Sequence, residues 1–102
     1  MRRKHEIVEG ARLSVWDSPK FIDRFTVVFL DDVSEGMLGN IVVVYLAMNE
    51  HPFHPQGFCQ HGEMELNMVA YKGRGGVFDK RIKFADLPED CQKAVLQDIR
   101  RE

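Results

Sequence analysis

Ile41-Val42-Val43-Val44-Tyr45-Leu46-Ala47-Met48 is an unbroken apolar run with three consecutive valines. A strand with one wet face would alternate, so a continuous run of this length reads as a central strand covered on both faces. It falls far short of the ~20 apolar residues a membrane-spanning helix needs, and the first residues lack the apolar core of a secretory signal. The expected setting is therefore the cytoplasm, with no membrane partner.

The segments before the run supply its neighbours. Ala11, Leu13 and Val15 alternate with Arg12, Ser14 and Trp16, the pattern of a strand with one buried face. Asp17-Ser18-Pro19-Lys20 breaks that pattern with a turn. Arg24 to Leu30 is rich in β-branched and aromatic residues and predicts a second strand. A turn over the polar, glycine-containing stretch 31–40 then leads into the 41–48 strand. Linkers this short suit antiparallel pairing, so the three strands are expected to form a meander.

After the run, the prolines predict a loop over 49–62. Met64, Leu66, Met68 and Ala70 alternate as a strand would, although Glu63 to Tyr71 also contains good helix formers. Lys72-Gly73-Arg74-Gly75-Gly76 reads as a flexible turn and lacks the spacing of a phosphate-binding loop. A short strand is expected over 81–84. Asp86, Pro88 and Glu89 then predict a helix start with a capping box. Leu87, Cys91, Ala94, Val95 and Ile99 make one apolar stripe at helical spacing, and Arg100 and Arg101 oppose the helix dipole at its end.

The fold class is thus α+β: a small antiparallel sheet of three to five strands with one C-terminal helix packed on it. At 102 residues, 44% hydrophobic and 29% charged, the chain suits one domain over residues 1–102, with residues 1–10 too charged to assign to an element and expected to be flexible. Fourteen Lys and Arg against sixteen Asp and Glu give a net charge of -2, which excludes a global basic field for nucleic acid. Local cations at Arg2, Arg3, Lys4, Lys72 and Arg74 keep nucleic acid as the last of the partner classes. Cys59 and Cys91 are expected to stay reduced.

The stretch from His51 to Glu63 concentrates the chemistry. It holds three of the four histidines, Cys59, Pro52, Pro55, Gly57 and Gly62. Three readings apply. His51, His54, Cys59 and His61 could hold zinc, although their spacing matches no paired-ligand pattern. His54 or His61 could act as a general base oriented by Glu63 or by an Asp elsewhere, with Cys59 as a nucleophile. A macromolecular partner, a protein first, could dock on Phe53, His54, Gln56, Gly57, Phe58, Gln60 and His61. At least one of Phe53 and Phe58 is expected to tuck onto the sheet, since an exposed pair of aromatics is an aggregation liability. Trp16 and Tyr45 read as sheet packing, and Arg24 as a solvated charge.

Asp23-Arg24-Phe25-Thr26-Val27-Val28, Tyr45-Leu46-Ala47-Met48, His54-Pro55-Gln56-Gly57-Phe58 with Gln60-His61-Gly62, and Lys80-Arg81-Ile82 with Leu87-Pro88-Glu89-Asp90 are the residues that carry a resemblance. In order, from about Leu13 onward, the chain resembles a group of small bacterial proteins met on phages and other mobile elements and in gut metagenomes. The resemblance implies a bacterial or phage cytoplasmic setting and places His54, Gln56, Gly57, Gln60 and His61 in the group's pattern. His51 and Cys59 lie outside that pattern, which counts against a zinc site using both. The group has no assigned activity, so the resemblance implies no catalytic residues. The sequence therefore favours a non-catalytic accessory protein binding through 51–63, with a zinc-dependent or histidine-based enzyme at the same loop as the alternative.

Overall fold

The computed structural model describes residues 6–19, 24–36, 38–65 and 80–100. Its strands are β1 (Glu6–Val8), β2 (Ala11–Asp17), β3 (Phe25–Glu35), β4 (Ile41–Met48), β5 (Cys59–Glu65) and β6 (Lys80–Ile82), followed by one helix, α1 (Glu89–Arg100). All the pairings are antiparallel, in the order β1-β2-β3-β4-β5. β6 pairs with Val15–Asp17 of β2, beyond the stretch that β1 occupies at Ala11–Leu13. The two short strands thus share one side of β2 end to end. The result is an α+β fold with a six-stranded antiparallel sheet and one helix near the C-terminus.

Pairing assigns the faces, because cross-strand partners lie on the same side of a sheet. Leu13, Val15, Phe25, Val27, Phe29, Leu46 and Met48 meet Leu87, Cys91, Ala94 and Val95 in one core between sheet and helix. The predicted helical stripe is therefore the packed face. Trp16, Val28 and Val43 are buried on the opposite side, with Leu30, Tyr45 and Met64 against them. Apolar residues are buried on both sides of β4 at Val43 and Leu46–Met48, as its uninterrupted run predicts, whereas Ile41 at its start is 53% exposed.

Several boundaries differ from expectation. Of the segment 1–10, residues 1–5 lie outside the described residues, and Glu6–Val8 form β1, turning into β2 through Glu9 and Gly10 at φ 49° and 86°. Glu9 is an unusual choice for a left-handed turn position, and its carboxylate is gripped by Arg100 at the helix end, with Nε–Oε1 at 2.9 Å. The turn expected over 31–40 begins only after Glu35. Phe29 pairs with Val44 and Val33 with Val43, so Leu30, Asp31 and Asp32 bulge out of the ladder and pairing resumes beyond them.

The 49–62 loop ends at Phe58, because the influence of Pro55 does not extend to Gln60, His61 and Gly62, which pair with Ala47, Leu46 and Tyr45. Glu63–Glu65 complete β5; the rest of the 63–71 strand, the 72–76 turn and Lys20 lie outside the described residues. At the helix start Asp86 takes a different role. It accepts the Lys83 N–H (3.1 Å) and closes a short 3-10 turn over Phe84–Asp86, while the Pro88 carbonyl accepts the first helical bond from Gln92 N–H (3.0 Å).

Candidate functional site

The loop between β4 and β5 is built as two consecutive turns that share a residue. His54 N–H donates to the His51 carbonyl (3.2 Å) and Gly57 N–H to the His54 carbonyl (2.8 Å). Each turn has a proline at its second position, Pro52 and then Pro55, where a fixed φ suits the geometry and no N–H is needed. Gly57 closes the second turn so tightly that a Cβ there would overlap the His51 carbonyl oxygen. Only glycine fits.

Asn49 is the neck of this loop. Its N–H donates to the Phe58 carbonyl (3.1 Å), and its Oδ1 accepts from His51 N–H (2.8 Å) and Phe58 N–H (3.1 Å). Its own carbonyl is turned towards the helix and accepts the Cys91 thiol (Sγ–O 3.2 Å). The next residue, Glu50, is held by Arg24 (3.0 Å), which also binds Asp17 through two bonds of 2.7 and 3.1 Å. Arg24 is therefore not a solvated charge. It clamps the ends of β2 and β3 to the start of the loop, and these carboxylates push its pKa up, the Asp17 hydrogen bond most of all.

On this frame Phe58 is half-buried at the neck, while Phe53, between the two turns' histidines, is 51% exposed. His51, His54, Pro55 and Gln56 are exposed around it. The His51 and His54 rings meet edge to face at 6.3 Å. His54 Nδ1 accepts the Gln56 N–H (3.1 Å), which orients the ring.

β5 carries the rest. Cys59, His61 and Glu63 pair with Met48, Leu46 and Val44 and so share the helix-facing side, whereas Gln60 and Gly62 lie on the other. Gly62 is again a packing requirement, since a Cβ would press on the Tyr45 ring at 2.5 Å. His61 Nε2 bonds Asp98 Oδ1 of α1 at 2.8 Å. The carboxylate is the more buried partner, with 20% of its side chain exposed against 47% for the imidazole. With Nε2–H donated to Asp98, a neutral ring presents Nδ1 as an acceptor.

The structure thus separates the residues that the sequence grouped. His51 and His54 stay in the loop, His61 is engaged with the helix, and Cys59 begins the strand. Among the described residues no three His, Cys, Asp or Glu side chains converge as a metal would require. Burial pushes the Cys59 thiol up, and Asp98 adds to the effect, the opposite of the lowered value a thiol nucleophile uses. The orienting carboxylate is Asp98 rather than Glu63. Its one sequence signal is its place seven residues after Cys91 and three after Val95, on the flank of the apolar stripe. Asn49, which organises the whole loop, carried no signal of its own.

Comparison with protein-family models, with curated proteins and with solved structures finds no match. No helix among the described residues is long and apolar enough to cross a membrane.

Proposed function

We propose that this chain is a non-catalytic accessory protein of a phage or other mobile element, acting in the bacterial cytoplasm by binding a protein partner through residues 51–63. The observation that carries the reading is Phe53, half exposed on a backbone held by two turns, the Asn49 neck and the Gly57 contact. A large aromatic on a rigid support loses little conformational freedom on docking, which is how interface anchors concentrate binding energy. His54, Gln56, Gln60 and His61 then supply polar groups for the rim.

The test uses the immobilised parent chain and its Phe53→Ala variant against a bacterial lysate, followed by titration with any purified partner. A partner that binds the parent and loses about tenfold or more in affinity with Phe53→Ala supports the reading, provided both proteins melt alike. Equal retention by both proteins, or retention of nothing, rejects it.

A second reading, a histidine-based enzyme, draws its support from the His61–Asp98 pair, in which a sheltered carboxylate holds an accessible imidazole at 2.8 Å. Turnover that disappears with His61→Ala and falls with Asp98→Asn would favour it over the binding role.

A further inference from the structure

Both cysteines sit beside one short stretch of chain, Met48-Asn49. Cys59 pairs with Met48 on the helix-facing side of the sheet, and the next residue, Asn49, accepts the Cys91 thiol at 3.2 Å from the facing helix. Met48 and Cys91 are both fully buried in the same core. Cys59, by contrast, is exposed. One cysteine is thus exposed and the other buried, and both adjoin the loop neck.

We infer that Cys59 and Cys91 form an oxidisable pair that closes to an intrachain disulfide and so resets the 49–58 loop. The oxidant is a peroxide. The Cys59 sulfur attacks the O–O bond, forming a sulfenic acid as the first water leaves with the thiol proton. The Cys91 sulfur then attacks the Cys59 sulfur and displaces hydroxide, which takes the Cys91 proton and leaves as the second water. Two electrons pass from the thiols to the peroxide.

The consequence for the loop follows from the lost proton. A disulfide sulfur cannot donate, so the Asn49 carbonyl loses the Cys91 hydrogen bond at the residue that holds both ends of the loop. Raised thiol pKa values make the pair slow at neutral pH, with a rate that climbs by about tenfold per pH unit as thiolate appears.

The experiment treats the full chain with hydrogen peroxide at mildly alkaline pH, then maps it by mass spectrometry without reduction. The expected product is a monomer lighter by two hydrogens, with Cys59 and Cys91 in one linked peptide and shifted amide resonances over 49–58. Cys59→Ser should abolish the product. A parent in which dimedone labels Cys59 while Cys91 still alkylates on unfolding, or in which bridges form only between chains, overturns the inference. So does a linked monomer with unchanged loop resonances.

Discussion

Gly57→Ala tests whether the loop is locked by close approach. The added methyl would overlap the carbonyl oxygen of His51, a backbone atom that no rotamer change can move. The second turn must therefore open, and the bonds from Gly57 N–H to His54 and from His54 N–H to His51 are lost together. At ~0.5–1.5 kcal/mol net for each bond, the cost is about 1–3 kcal/mol. Local opening caps it there, because the loop's apex can yield without disturbing Met48 or Leu46 in the core. For a domain of this size that is a fall in melting temperature of roughly 5–20 °C.

Chemical denaturation would give the free energy, and amide exchange would show where it is lost. The expected pattern is faster exchange at His54 and Gly57 with unchanged protection in β3 and β4. A variant within about 0.5 kcal/mol of the parent, with the same loop protection, would refute the close-packing argument. A loss well beyond ~4 kcal/mol would refute the claim that the loop opens independently of the core.

Burial holds the Cys91 thiol proton to about 12 from an ordinary 9.0, so the unfolded chain ionises first as pH rises. The unfolded state then binds fewer protons, and stability that is fully present below pH 9.0 falls through the window up to about 12, by at most ~1.4 kcal/mol per pH unit. Urea unfolding across that range should show the slope, and Cys91→Ala should flatten it. Arg24→Ala should lower the melting temperature more than Arg12→Ala, as read by parallel thermal melts. Losing Arg24 strands the largely buried Asp17 carboxylate, whereas Arg12 and Asp31 are both about half exposed. Equal shifts would show that the Asp17 clamp adds nothing.

The helix was legible in outline because its stripe of Leu87, Cys91, Ala94 and Val95 repeats at the helical period and only one face can be packed. Its capping was misread, since the Asp86 carboxylate closes the preceding 3-10 turn instead of capping the helix, which begins at Glu89 after Pro88. The length of β3 was hidden for a similar reason. Asp31 and Asp32 look like turn residues, and they do leave the ladder, yet pairing resumes at Val33 because Val43 and Val42 are there to meet it. Within the site, Phe53, His54 and Gln56 were readable as an exposed loop. That Phe58 tucks while Phe53 does not could not be read, because the two differ only in their distance from the Asn49 neck.

Local chemistry alone determined that 41–48 is a strand with apolar burial on both faces over its second half, that prolines break the chain after it, and that one face of the last helix is apolar. Those properties depend on side chains a few residues apart, where covalent geometry and hydrophobic period dictate the outcome. Only the tertiary structure decided that His61 would meet Asp98, that Cys91 would hold Asn49, and that Arg24 would join Asp17 to Glu50. Each of these contacts joins side chains from different elements. Their meeting is set by the register of the sheet and the placement of the helix across it, which emerge only when every strand has been packed at once.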